Sequence, residues 1–475
     1  MVLRILGWGS LFLLAGANRG AYAATVEIAP DRMAVVNGQR TFVIGLYENA
    51  SDDAVLESVA KAGFNLVQAK PNRQDLDRLQ QYDLYGWVNT GYRIDLQTDA
   101  ETRKAQLREL VSALADHPAL LVWEAPDEAL WNVWYNTLCQ VQDERNALQA
   151  RIQDLSDVTE KARLDVLWQK AQDHFACGEF ERWEEIRDEV LRSLDLESPG
   201  PERRMTTMAA RAHALAVGMK SGYGFLKGID PRHPLWMNHA PRNSIAQLAE
   251  FGEAADIVGC DIYPVPSCRT GHSDLMDKSL SCVGAYTIRM QQSAPTKPVW
   301  MVLQGFGWAD ISQNPEEDRE KGLRRPTAAE SRFMAFDAIV RGARGILYWG
   351  TGAVEKPSEF WEDLLHLAGE IADLQPVLAA PDASMSLEIA VAETWGSLDR
   401  CVEVLAKDVD GAPWLLVVNE WSEQLHVTLR GLQAYEGLTF CDTASGREAG
   451  VTGGTLTFGI AGHGVYVFEP KHTVR

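Results

Sequence analysis

The sequence predicts a (β/α)8 TIM barrel with a long helical insertion after its fourth strand and a C-terminal antiparallel β-sandwich. Three observations carry this. From residue 40 to about 375, short apolar runs alternate with amphipathic stretches, the pattern of βα units on a parallel sheet. The 110 residues between Glu124 and Leu235 interrupt that rhythm with charged sequence poor in β-branched residues. After Pro376 the pattern turns to short strands separated by Gly and Asp turns.

Residues 1–23 read as an export leader. Arg4 supplies the positive start, Ile5–Ala17 is a short apolar run, and Ala21-Tyr22-Ala23 is a small-residue cleavage site. The chain is therefore expected to be exported, secreted or periplasmic, with no membrane anchor. The barrel is expected over residues 24–380, with strands at Phe42–Leu46, Phe64–Ala69, Leu84–Asn89, Leu120–Glu124, Leu235–Asn238, Ile257–Asp261, Val299–Leu303 and Gly345–Trp349. Ser51–Ala62 and Thr327–Arg341 read as helices, the second opened by a Thr327–Glu330 capping box. The insertion, about residues 130–228, reads as helices over Cys139–Leu155, Val158–Phe175 and Phe180–Leu194. The sandwich is expected over residues 381–475.

Composition narrows the partners. The net charge of −21 argues against nucleic acid and anionic membranes, and against a strongly anionic polysaccharide. Export permits disulfides, and local spacing suggests Cys139–Cys177, Cys268–Cys282 and Cys401–Cys441, with Cys260 a buried thiol. No CxxC pair and no HExxH occur, so neither a metal nor another cofactor is expected. There is also no GxSxG elbow, no Walker A and no GxGxxG after the first strand.

Working groups of such a barrel sit at the carboxyl ends of its strands. The fourth strand ends in Trp123-Glu124-Ala125-Pro126-Asp127-Glu128. This run resembles the strand-four motif of the clan A glycoside hydrolases, W-E-x-x-N-E-P. The resemblance implies that Glu128 is the general acid/base and that Asp127 stands where an Asn holds a sugar hydroxyl. Cleaving a glycosidic bond demands such a carboxylic acid, and a close neighbour such as Asp127 would raise its pKa. Clan A carries its nucleophilic Glu at the end of strand seven, where this chain has Gln304. A second carboxylate must then be sought elsewhere. Asp261, directly after apolar strand six, is the first candidate, because a carboxylate is costly there unless used or paired. Glu48 after strand one is the second.

Tyr263 follows Asp261 and suits stacking on a sugar or donating to that carboxylate. Trp349 closes strand eight, where the clan often floors the subsite beside the cleaved bond. Asn89 ends strand three, and His239 and Arg242 follow strand five. Gln304 and His239 are further candidates for holding hydroxyls or water. The expected function is hydrolysis or transfer at a glycosidic bond of a neutral oligo- or polysaccharide, with inversion preferred because Gln304 replaces the expected nucleophile. The alternative is a non-hydrolytic carbohydrate-binding protein on a degenerate barrel, or an interaction protein that works through the insertion.

Overall fold

The computed structural model describes residues 23–50, 52–267, 278–396 and 401–471. Residues 1–22 of the expected leader and the Cys268 end of one expected disulfide lie outside the described residues. An antiparallel three-stranded sheet opens the fold, β1 (Val26–Ile28), β2 (Ala34–Val36) and β3 (Gln39–Thr41). Eight parallel strands then close a barrel: β4 (Val43–Leu46), β5 (Leu66–Gln68), β6 (Tyr85–Asn89), β7 (Leu120–Glu124), β8 (Leu235–His239), β9 (Ile257–Ile262), β10 (Trp300–Gln304) and β11 (Gly345–Trp349). β11 pairs with β4 to complete the ring. The apolar runs of the sequence are these strands, because a parallel strand covered on both faces has no polar side to show.

The early helices are α1 (Asp53–Lys61), α2 (Arg73–Gln81) and α3 (Ala100–Leu114). The insertion helices are α4 (Ala129–Gln153), α5 (Val158–Ala176) and α6 (Phe180–Ser193). They enclose a small core of their own, centred on Val141, Ile152, Leu164, Trp168 and Trp183. The long α7 (Met208–Ile229) packs instead between α3 and α8 (Ile245–Gly252), in the place of a barrel helix. The later helices are α9 (Cys282–Ser293), α10 (Pro315–Glu320), α11 (Ala328–Val340), α12 (Glu359–Asp373) and α13 (Gln375–Leu378). Thr327 caps α11 and shares a reciprocal capping box with Glu330.

Tryptophans fill the barrel interior. The rings of Tyr47, Trp87, Trp236 and Trp300 run in contact across it, with successive centroids 4.6, 5.9 and 5.8 Å apart. Such bulk needs small residues opposite. A Cβ on Gly259 would lie 2.1 Å from the Trp300 carbonyl and 2.9 Å from the Trp236 indole nitrogen.

The C-terminal strands form two sheets. One has the order β12 (Glu388–Val391), β15 (Leu425–Arg430), β18 (Thr455–Ile460). The other has the order β13 (Val402–Val409), β14 (Ala412–Asn419), β19 (Val465–Lys471), β16 (Thr439–Asp442), β17 (Glu448–Gly450). Residues alternate along β14: Leu415 and Val417 enter the sandwich core, while Leu416 and Val418 join the barrel's core. Arg341, just past α11, grips Glu420 through two 2.6 Å hydrogen bonds and ties the two units further.

Two expected disulfides do not form. Cys139, Cys177 and Cys441 carry free thiols. Cys401 precedes β13 while Cys441 lies on β16, three strands away in the sheet order. At about 4.8 Å per strand the gap is about 14 Å, beyond the reach of a disulfide. Cys139 lies 14 residues before the end of α4, whereas Cys177 follows all 19 residues of α5. The two thiols are thus offset by more than a helical turn along the hairpin.

Candidate active site

A cavity of about 240 Å³ opens at the carboxyl ends of the barrel strands. Tyr47, Asp127, Glu128, Asn238, Asp261, Tyr263, Trp308 and Trp349 line it, with Val302 and Ile311. β7 delivers the chain to Glu128, which takes a left-handed backbone (φ 49°) before α4 begins. A non-glycine residue pays for that conformation, and the surrounding structure must hold it there. β9 delivers Asp261, which is buried.

The Glu128 carboxyl lies in hydrogen-bonding contact with that of Asp261. Burial, then the negative charge of Asp127, lifts the Glu128 carboxyl to about 7. Burial and the charge of Glu128 hold Asp261 well above the ordinary carboxylate range. Burial raises Asp127 as well, against the 3.0 Å hydrogen bond it accepts from the Asn238 amide. Two acceptors, Asn238 Oδ1 and Asp261 Oδ1, have no donor among the described residues. Both belong to residues that line the cavity, where a ligand's hydroxyl groups could satisfy them.

Aromatic rings form the opposite wall. Tyr263 stacks on Trp349 with centroids 5.5 Å apart and planes 14° from parallel. Phe306 stands edge-on to Trp349 at 5.1 Å and braces the pair. Trp308 and Ile311 arrive on a short turn whose Asp310 is clamped by two hydrogen bonds from Arg325, at 2.7 and 2.9 Å.

Of the residues singled out in the sequence, Asp127, Glu128, Asp261, Tyr263 and Trp349 converge on this cavity. The others stand elsewhere. Gln304 is fully buried. It accepts from the Val265 N–H at 2.9 Å and donates to the Val265 and Phe306 carbonyls at 2.7 and 3.0 Å. Its amide is spent on pinning the loop that carries Tyr263. His239 neighbours Asn238 on β8 and faces the other way, its ring 6.4 Å from that of Phe251 on α8. Burial depresses its pKa to about 4, so it stays neutral. Glu48 is paired with Lys356 at 3.2 Å and accepts from Thr351. Asn89 donates to Glu124 Oε2 at 2.6 Å.

Sequence reasoning passed over Tyr47, Asn238 and Glu124. The Glu124 carboxyl is completely buried, and the Tyr47 hydroxyl bridges it to Asp127. Burial, then the charge of Asp127, keeps Glu124 well above the usual range, so its protonated form is the favoured one. Glu124→Gln should therefore leave thermal stability near that of wild type. Glu124→Ala, which takes one partner each from Tyr47 and Asn89 and leaves a cavity, should cost about 2–3 kcal/mol. Differential scanning calorimetry of both variants checks this. Equal melting points for the two would refute the role.

No protein-family profile matches the sequence, and no curated protein matches it. Solved structures do share its fold. One is a glycoside hydrolase, 12% identical, with a TM-score of 0.53 over 95% of this chain and 97% of that one. Another is a family 5 glycoside hydrolase from Bacteroides vulgatus, 12% identical, TM-score 0.51, over 94% and 93%. A third is a β-galactosidase from Bacillus circulans sp. alkalophilus, 10% identical, TM-score 0.51, over 91% and 99%. At these identities the likeness is one of fold, and it extends through the C-terminal sheets.

Proposed function

We propose that this protein is a glycoside hydrolase acting on a neutral sugar chain, with Glu128 and Asp261 as its reacting carboxyl pair. The observation that carries this is the contact of the two carboxyls in a cavity that the stacked Tyr263 and Trp349 also line. A sugar ring fits that setting. Its apolar C–H face lies on the aromatic wall, and its hydroxyls reach the open acceptors of Asn238 and Asp261. The three fold relatives bear glycoside hydrolase or β-galactosidase names, which supports the same reading.

In the proposed reaction the substrate parts the pair. As the two separate, the pair's proton passes from Asp261 to Glu128, at the mouth, and Glu128 gives it to the departing glycosidic oxygen as that bond breaks. Asp261, on the floor, attacks the anomeric carbon and forms a glycosyl ester. Water then cleaves the ester, giving its proton to Glu128. The contact leaves no room for a water between the carboxyls, which suits retention with its spacing of about 5–5.5 Å better than inversion at about 6.5–9.5 Å. This replaces the inverting preference that Gln304 suggested. NMR of the first product formed should show the anomer of the substrate. The opposite anomer would remove Asp261 as nucleophile.

The pH dependence follows from the pair. Below about 7 Glu128 is protonated, and burial favours the protonated form of Asp261 as well, so an ionised nucleophile is scarce. As pH rises through that value one proton leaves, and the acid–carboxylate combination appears. The kcat/KM of wild type on aryl glycosides should therefore rise through pH 7 and peak on the alkaline side. An optimum near pH 5 would contradict the raised Glu128 carboxyl. Absence of turnover on a panel of aryl glycosides, with sugar binding retained, would replace hydrolysis by carbohydrate binding.

A further inference from the structure

We infer that the first turns of α4 carry an outer sugar platform, so that the helical insertion belongs to the binding site for an extended oligosaccharide. The inference rests on the glycosidase reading and specifies its substrate as a chain longer than the cavity can hold.

Trp131, Trp134 and Tyr135 follow Glu128 by three, six and seven residues. At 1.5 Å per residue they rise about 5 to 11 Å along the axis from it, and the i, i+3, i+4 spacing sets them on one face. The rings are organised: Trp131 lies 4.8 Å from Trp134, and 5.7 Å from Tyr135 with planes 16° apart. Trp134 and Tyr135 remain 37% and 46% exposed. All three stand outside the hydrophobic cores that hold Leu130 and Val141 of the same helix. Packing therefore does not account for them. The Arg242 guanidinium lies 5.9 Å over the Trp131 ring. Tyr92, 48% exposed, follows β6.

Two sets of stacked rings are thus tied to Glu128. One set, Tyr263 and Trp349, is enclosed in the cavity. The other is open and continuous with Glu128 through α4. A cavity of about 240 Å³ lies below the usual range of about 300–1,000 Å³ for drug-sized ligands, so it suits a single sugar ring. The remaining units must leave through the mouth, and exposed amphipathic rings are the surface that sugar C–H faces prefer. The preferred occupant is the leaving-group side of an oligosaccharide, because α4 starts at the residue assigned as proton donor.

The test compares Glu128→Gln with the same chain carrying Trp134→Ala and Tyr135→Ala. Tryptophan emission is titrated with cello-, manno-, xylo- and β-galacto-oligosaccharides of two and six units. At least one series should bind the single variant about tenfold more tightly at six units than at two, and the added substitutions should abolish that length dependence. Equal affinity for short and long members, an unchanged length dependence in the multiple variant, or no binding in any series overturns the platform. Turnover of aryl monoglycosides by wild type is scored separately. Its presence with a failed titration leaves the glycosidase reading standing, and its absence with a length-dependent titration leaves only the platform.

Discussion

Glu128→Gln should lower kcat by about 10²–10⁴-fold while leaving sugar binding in place. The amide keeps the shape of the side chain and its place beside Asp261, but it has no proton to give to a departing oxygen. The same substitution should stabilise the fold in alkaline solution. Glu128 is lifted from 4.5 to about 7, so its ionised form is the disfavoured one. A raised carboxyl contributes stability below its unfolded value, and that contribution is lost as pH rises toward 7. Gln carries no such liability. The variant should gain on the order of 2 kcal/mol over wild type at pH 8, and little at pH 4. Kinetics and calorimetry across pH decide both halves. A variant that keeps more than a tenth of wild-type kcat would remove Glu128 from the chemistry. One that melts lower than wild type at pH 8 would remove the crowded-charge account.

Gly259→Ala should damage stability and activity together. The added methyl would stand 2.1 Å from the Trp300 carbonyl, a backbone atom of the neighbouring strand that cannot turn aside. Relief requires β9 and β10 to separate, or Trp236 and Trp300 to shift within the barrel. Overpacking of this kind costs about 3 kcal/mol or more. Gly259 lies two residues before Asp261, so the displacement reaches the reacting pair, where a 1 Å error can cost about 10²-fold in rate. Gly252→Ala is the control, since its Cβ would meet nothing nearer than 3.7 Å. Calorimetry and aryl-glycoside kinetics should separate the two. If they are indistinguishable, the close approach in the barrel wall has no energetic weight.

The barrel was legible because its strands are buried on both faces and read as unbroken apolar runs. All eight appear where those runs stand, within two residues at either end. The amino-terminal sheet was missed because three-residue strands carry too short a pattern. α7 was folded into the insertion because the Ser198–Pro201 break before it marks a helix start but does not say that the next helix returns to the barrel. At the site, Glu128 and Asp261 could be picked out because strand ends are where a barrel works and a carboxylate after an apolar strand needs a reason. His239 and Gln304 satisfied the same rule on paper. Strand alternation turns His239 away, and backbone hydrogen bonds consume Gln304, neither of which is written in residue type. Tyr47 and Asn238 gave no signal beyond position. Glu124 stood in plain view within the motif, but only the fold shows that it is sealed from water.

The double-sided β14 bears on how heat moves through the molecule. With Leu416 and Val418 seated among barrel residues, the sandwich acts as a buttress behind α11, and α11 in turn backs β10 and β11. Loosening the last ninety residues would slacken the wall on which Trp308 and Trp349 are mounted. A module far from the reacting carboxyls thereby sets how firmly their aromatic partner surface is held.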